Sequence, residues 1–452
     1  MKKLLLFIVL FYSFTTISAQ NELKARIEYE EAEKAFSEEN YEITVTRLTK
    51  VEELLGKWTP KIGYLKIMSL DKLCDYEDYK NTYTQMQMKE VKQYMGYTAK
   101  NQETLVVEKY KTVYAIEEKL DSLEKVNSER NMPEFRKAMN FYVDKAYIEA
   151  MDWYKKAAEK GNSIAMKYIG QLYENGYGIT QNYNEAMNWY EKSAEKGNSR
   201  AMKCIGQLYE NGFGVTQNYT EALNCYKKAS SKGDQFAMYA VADMYRFGKG
   251  VTQNYLEAMN WYKKAAKNGY VDAMYNTGVL YNNGQGATQN YSEAMNWYKK
   301  AAENGYVDAM YNIGVLYYNS HGVTQNYLEA MNWFKKAAEK GNSLAMYGIG
   351  VLYNNGQGVT QNYVEALDWY RKAAENGNSD AMNNMGDLFY NGQGVTQNYF
   401  SAMIAYKKAA ENGNVDAMKK IANIYQNAPG TIKRDKKLAA EWMTKYEAAQ
   451  TK

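Results

Sequence analysis

The sequence predicts an all-α chain, a solenoid of tandem helix-turn-helix repeats, and three observations carry the prediction. The tetrapeptide Thr-Gln-Asn-Tyr ends at Tyr183, Tyr219, Tyr255, Tyr291, Tyr327, Tyr363 and Tyr399, always 36 residues apart. Within each period, apolar residues return every three or four positions, the spacing of one helix face. Only three prolines occur in 452 residues, Pro60, Pro133 and Pro429, and long helices tolerate few. A 36-residue repeat without strand-like alternation is a helix pair.

Composition narrows the class. Charged residues make up 24% of the chain and nearly balance, 56 Lys and Arg against 52 Asp and Glu. Such a chain builds a core and is not a disordered tail. It also lacks the basic excess of a nucleic-acid binder, so no nucleic-acid partner is expected.

The elements follow in order. Lys2 and Lys3 precede an apolar run from Leu4 to Ile17, and Ile17-Ser18-Ala19 offers small residues for cleavage before Gln20. This is the pattern of a signal peptide over 1–19. Its apolar run falls short of the ~20 residues that span a bilayer. No later segment reads as transmembrane. The mature chain is expected to be exported, periplasmic or secreted. Residues 20–133 read as a helical N-terminal region with tetratricopeptide-like hairpins. Ala32, Ala35, Phe36 and Tyr41 belong to the first hairpin, which Pro60 closes. Tyr64 to Met95 forms a second, with Asp75-Tyr76-Glu77-Asp78-Tyr79 at its turn. A polar break follows at 96–103. Val113, Ile116, Leu120 and Leu123 then stripe one more helix, and the region is placed to cap the array.

The array occupies 134–452. A short entry repeat covers 134–160. Seven full repeats run 161–196, 197–232, 233–268, 269–304, 305–340, 341–376 and 377–412, and a divergent last one covers 413–448. In 305–340, Ala309, Met310, Ile313, Leu316 and Tyr317 stripe a helix A over about 308–318. Gly314 sits in its middle, where glycine costs about 1 kcal/mol relative to alanine. Equivalent glycines recur at Gly170, Gly206, Gly278, Gly350 and Gly386, so close approach of the partner helix is the expected benefit. After a loop ending at Gly322, Asn326 and Glu329 form a capping box for helix B. Ala330, Met331, Trp333, Phe334, Ala337 and Ala338 line that helix, and Gly341 stops it.

These residues resemble a known family. The pattern Ala-Met-x-x-Ile-Gly-x-Leu-Tyr, then Gly-x-Gly-Val-x-x-Asn-Tyr, then Glu-Ala-Met-x-Trp-Tyr-x-Lys-Ala-Ala-x-x-Gly is similar to Sel1-like repeats, relatives of the tetratricopeptide repeat, over about 161–448. The resemblance implies a right-handed superhelix with helix A on its concave side. It also implies a scaffold or adaptor more often than an enzyme.

Chemistry is sparse. The one histidine, His321, stands in a loop and reads as a surface residue. The Gly-x-Gly loops lack the strand, the further glycine and the lysine of a phosphate site. No carboxylate pair stands out from the repeats. No catalytic residue, metal site or cofactor is therefore expected. Asn218 and Asn290 begin glycosylation sequons but serve first as helix caps. Cys74 stands alone. Cys204 and Cys225 lie at similar distances from the loop of their repeat, and two readings stay open for them, a disulfide or two small core residues. A cysteine-rich branch of Sel1-like proteins has one bridge per repeat and reported β-lactam-related binding; this chain lacks that regular pairing.

Recurring residues hold a solenoid together, so binding belongs where one face varies. Counting each repeat's first glycine as one, position seven of helix A reads Tyr239, Tyr275, Tyr311 and Tyr347 in the middle repeats, with Lys or Asn outside them. Position eleven gives Val279, Val315 and Val351, and position four gives Asp272 and Asp308. Tyr318 lies nearby at the end of its helix. Steps of three and four put the three columns on one face. We expect this face to be a concave groove for a protein or peptide partner. The competing expectation is that the tyrosines are half-buried packing. A cell-wall or β-lactam hydrolase and a structural spacer are the alternative functions.

Overall fold

The computed structural model describes residues 21–22, 24–74, 82–100, 107–427, 429–430 and 432–451. The expected signal segment and the turn at 75–79 lie outside them. Among the described residues every regular element is a helix. The first five are α1 (24–37), α2 (Tyr41–Leu55), α3 (Pro60–Leu73), α4 (Thr82–Lys100) and α5 (Val107–Asn131). The entry pair is α6 (Pro133–Val143) and α7 (Tyr147–Glu159). Seven A–B pairs follow: α8 (Ser163–Asn175) with α9 (Tyr183–Glu195), α10 (Ser199–Asn211) with α11 (Tyr219–Ser231), α12 (Gln235–Phe247) with α13 (Tyr255–Lys267), α14 (Val271–Asn283) with α15 (Tyr291–Glu303), α16 (Val307–Asn319) with α17 (Tyr327–Glu339), α18 (Ser343–Asn355) with α19 (Tyr363–Glu375), and α20 (Ser379–Asn391) with α21 (Tyr399–Glu411). The last pair is α22 (Val415–Asn427) and α23 (Lys436–Gln450). The chain divides into two compact blocks, Met1–Lys196 and Gly197–Lys452.

In the N-terminal block the hairpins form as expected, with two corrections. Pro60 opens α3 at its first turn, behind a Thr59 cap, rather than closing the preceding segment; its missing N–H costs nothing there. The stretch from residue 96 stays helical to Lys100, with Gly96 inside the helix; a single glycine lowers helix propensity by about 1 kcal/mol without ending the helix. Val113, Ile116 and Leu120 are buried; the Leu123 side chain is not among those described. Lys66 is 3% exposed and bonds Glu52 at 2.7 Å and Glu90 at 3.4 Å, while the Trp58 indole donates to Glu90. This buried set ties α2, α3 and α4 together. Burial pushes the Glu52 carboxyl up against the opposing pull of Lys66. The N-terminal region docks on the first full repeat through Glu129. Its carboxylate accepts from the Ser163 hydroxyl at 2.7 Å and the Ile164 N–H at 3.3 Å, at the positive end of α8.

Each part of the repeat sequence has a contact that explains it. A Cβ on Gly170, Gly206, Gly278, Gly314 or Gly350 would stand 2.5–2.7 Å from a ring carbon of Tyr190, Tyr226, Tyr298, Phe334 or Tyr370. Those rings are buried on helix B of the same pair. The glycine is thus the seat of the B-helix ring. In Thr-Gln-Asn-Tyr, the Gln side chain returns to a carbonyl near the end of helix A, as Gln325 does to Tyr318 at 2.9 Å. The Asn caps helix B, with Asn326 Oδ1 accepting from Leu328 and Glu329 N–H. The Tyr receives the next loop: a Cβ on Gly358, at φ +70°, would lie 2.7 Å from the Tyr327 side chain.

The capping box is only half made, which corrects the sequence reading. The Asn326 N–H goes to the Tyr317 carbonyl at 3.1 Å, not to Glu329. The same bond joins Asn398 to Phe389 at 2.8 Å. The Glu is therefore dispensable to the box, and Ser401 takes its place while Asn398 still caps the helix.

The core passes from repeat to repeat. Ala294, Met295, Tyr298 and Ala301 of α15 cluster with Ala309, Ile313 and Leu316 of α16, and these with Ala330, Met331 and Phe334 of α17. Within the C-terminal block each helix B that is followed by another repeat thus packs on both its own helix A and the next one.

Gly350→Ala tests the ring seat. Helix propensity alone predicts a gain of about 1 kcal/mol. Crowding of the Tyr370 ring predicts a net loss of about 1–3 kcal/mol. Denaturant melts of the purified variant decide the sign.

Candidate interaction face

Helix A leaves one face outside its pair, and the position-seven tyrosines lie along it. Tyr239, Tyr275, Tyr311 and Tyr347 are all half-buried. Each ring lies against the aromatic ring of its own helix B, with centroids 5.4 Å apart for Tyr239 and Tyr262, 5.8 Å for Tyr275 and Tyr298, 5.7 Å for Tyr311 and Phe334, and 5.8 Å for Tyr347 and Tyr370. Three hydroxyls are met from the following helix A. Asn276 donates to Tyr239 at 3.0 Å, Asn312 to Tyr275 at 3.4 Å and Asn384 to Tyr347 at 3.5 Å. These bonds link successive A helices directly and set them side by side in the C-terminal block. The tyrosines are therefore packing residues that stay partly exposed. Burial raises each of their hydroxyls, so they stay protonated.

The other expected site residues flank this row. Val279, Val315 and Val351 are half-buried on the core. Asp272 is half-buried and Asp308 exposed. Asp308 accepts from the Asn342 amide at 3.0 Å, which holds the carboxylate in place without neutralising it. Tyr306 stacks on Tyr275 at 4.6 Å, and burial with nearby Asp272 lifts its hydroxyl to about 12. Tyr318 departs from the row: its hydroxyl donates to Gln357 Oε1 at 3.1 Å in the next loop.

A second polar column escaped the sequence reading. The buried hydroxyl on helix B needs a partner, and repeats supply different ones. Tyr190 donates to Glu174 and Tyr262 to Asp243; Tyr226 donates to Glu210 at 2.8 Å and Tyr406 to Asp387 at 2.7 Å. Where position eleven is Val279 or Val351, Asn312 and Asn384 hydrogen-bond Tyr298 and Tyr370 instead. In 305–340 the expected Asn is Gly348, and the ring is Phe334, with no hydroxyl to satisfy. A Cβ on Gly348 would lie 3.0 Å from that ring. The signal was present as two exceptions, Phe334 and Gly348, in adjacent repeats.

Other singled-out residues have structural places. His321 stacks on Tyr291, centroids 4.5 Å apart. Asn218 and Asn290 cap their helices. Cys204 is buried and Cys225 half-buried, and both lie near enough to Tyr226 to contribute to its upward shift. Cys74 Sγ lies 3.2 Å from Gln87 Oε1. Among the described residues no group of three His, Cys, Asp or Glu is placed to hold a metal ion, and no helix is long and apolar enough to cross a membrane.

Two measurements follow. Phe334→Tyr alone should cost about 1–3 kcal/mol for a buried hydroxyl lacking its partner, and adding Gly348→Asn should recover most of it. Additive losses in the double-mutant cycle would refute the pairing. A thiol count on denatured, unreduced mature protein should find three; a count of one would show the Cys204–Cys225 bridge.

Comparison with known proteins agrees with this architecture. The sequence model described as Sel1 repeat matches residues 141–162, 163–198, 200–234, 235–270, 271–306, 307–342, 343–378, 379–414 and 415–445. The chain is 32% identical to a protective antigen present in uropathogenic Escherichia coli strains that displays an SLR fold, covering 67% of this chain and 73% of that one with a TM-score of 0.56. It is 30% identical to a Sel1 repeat protein from Oxalobacter formigenes, covering 54% and 96% with a TM-score of 0.48. No curated protein matches the sequence.

Proposed function

Because the chain belongs to the Sel1 repeat family, whose members are generally protein-interaction scaffolds, we propose that it is an exported, non-catalytic scaffold of the cell envelope or extracellular space that holds a protein or peptide on its A-helix face. One observation carries the reading. Tyr239, Tyr275, Tyr311 and Tyr347 stay partly exposed while a helix-B ring packed against each holds it in place. Rigid aromatic rings supply contact area with little entropy left to lose. The B helices offer a different surface. Lys264, Lys300, Lys336 and Lys372 lie 4.0–4.4 Å over Trp261, Trp297, Trp333 and Trp369, which covers those rings with the chain's own cations.

Export rests on the basic, apolar and small-residue pattern of 1–19. The similarity to a chain described as a protective antigen supports it. The A-helix face, in this reading, is the concave side of the repeat stack.

Photo-crosslinking in the native host tests both claims. A crosslinking residue at Val315 should capture a defined partner in the envelope or outside the cell. One at Lys335 on helix B should not. Capture from Lys335 alone, or recovery of the chain only in the cytoplasm, would overturn the proposal.

A further inference from the structure

We propose that the A-helix face from Tyr239 to Asp380 takes an extended cationic segment of a partner protein, with one apolar side chain seated at Tyr311 and Leu344 between flanking lysines or arginines. The inference rests on the scaffold reading above and supplies the chemistry of the partner.

In this part of a nearly neutral chain the A helices carry charge of one sign only. The helices α14, α16, α18 and α20 contain no Lys or Arg, and their charges are Asp272, Asp308, Asp380 and Asp387. The neighbouring B helices carry both signs, as Glu293 and Glu303 stand with Lys299 and Lys300, and Glu329 and Glu339 with Lys335 and Lys336. At the ends of the stretch, cations are already committed. Arg246 donates to Asn276 Oδ1 at 2.9 Å, and Lys420 binds Asp387 at 2.7 Å and Asn383 at 3.1 Å. Asp272, Asp308 and Asp380 have no ion pair among the described residues. Asn342 and Asn414 hold Asp308 and Asp380 through neutral amides at 3.0 and 2.8 Å. Their charge is fixed in position in the first turn of each helix, met by the positive helix end and by neutral donors but by no formal cation.

Each of these carboxylates lies beside the tyrosine of the preceding repeat, Asp272 by Tyr239, Asp308 by Tyr275 and Asp380 by Tyr347, and their charge helps raise those hydroxyls. A cation there meets a fixed carboxylate, a charge-assisted contact, with the tyrosine hydroxyl oxygen alongside as a second acceptor. The rung at Tyr311 differs. Leu344 replaces the Asp, Gly348 the Asn and Phe334 the Tyr. Leu344 is 46% exposed. The face thus reads acid, acid, apolar, acid.

Spacing sets the length of the occupant. Adjoining helices lie about 8–10 Å apart, and an extended chain advances about 3.3 Å per residue. One rung therefore matches about three residues, and the four rungs about ten. An acidic segment would be repelled by all three carboxylates, and so would a nucleic acid.

The probe is a fluorescein-labelled ten-residue peptide of Ser and Gly, with Arg at positions one, four and ten and Leu at seven. Fluorescence anisotropy against the full mature chain should show saturable binding that weakens with added salt. Replacing the three Arg by Glu should abolish it. The triple variant Asp272→Asn, Asp308→Asn, Asp380→Asn keeps an acceptor oxygen at each site and should bind roughly tenfold more weakly or worse. Leu344→Asp, at an exposed position, should reverse the preference in favour of a peptide with Arg at position seven. Equal binding of the Glu peptide, equal binding to the triple variant, or no binding by the Arg peptide would overturn the proposal. So would Leu344→Asp leaving the preference unchanged. If Val315 still captures a partner in the host when the Arg peptide fails, the cationic assignment falls and the scaffold reading stands. Capture from Lys335 alone removes both.

Discussion

A buried aromatic ring pressed onto a helix-A glycine sets the distances on which the rest of each repeat depends. The glycine lets helix B approach until no Cβ fits between the helices. The ring then fills the space at full packing density, and its burial contributes about 1.5–3 kcal/mol in each repeat. That gain brings a constraint. A tyrosine hydroxyl carried into the core must find an acceptor or donor there. Glu174, Glu210, Asp243, Asn312, Asn384 and Asp387 are the answers the chain uses. The 305–340 repeat removes the problem by using Phe334. What looks like scatter at positions eight, eleven and fourteen of helix A is one requirement met in several ways.

The periodic features were the legible ones. The helix pairs, the seat glycines and the Asn caps all follow from residues that recur at a fixed interval, and the structure places each as read. The missed features share one property: they depend on a second residue far away in sequence. The Asn326 N–H has two possible acceptors, the local Glu329 and the Tyr317 carbonyl across the loop, and only the folded loop selects the second. Asn276 and Tyr239 are 37 residues apart, so neither residue's surroundings announce the bond. Pro60 was misread because a proline between two helices fits the end of one and the start of the next equally well.

The interaction face was legible as a column but not as a mechanism. The sequence posed groove tyrosine and packing tyrosine as competing readings. The geometry shows the packing, since the rings lie against Tyr298 and Phe334; the groove role is what we propose for the part left exposed. The same arrangement explains why such residues resist simple truncation. Removing Tyr275 takes away an outward contact, a ring–ring contact and a hydrogen bond to Asn312 in one change. Loss of binding in such a variant would not separate recognition from stability. Position four is the cleaner probe, because Asp308 and Leu344 are exposed there.

That difference between columns has a consequence for how a scaffold of this kind acquires a partner. Position seven is bound to its own helix B and to the next helix A, so a change there propagates into two repeats. Position four touches the next repeat at its cap residue, as Asp308 does through Asn342 and Phe236 through the Tyr270 ring, and Leu344 shows that the amide bond is dispensable. Because each repeat contacts mainly its neighbours, a substitution at position four alters the charge of one rung and leaves the stack intact. Specificity on this face is therefore free to vary one repeat at a time along an aromatic row that the core itself holds fixed.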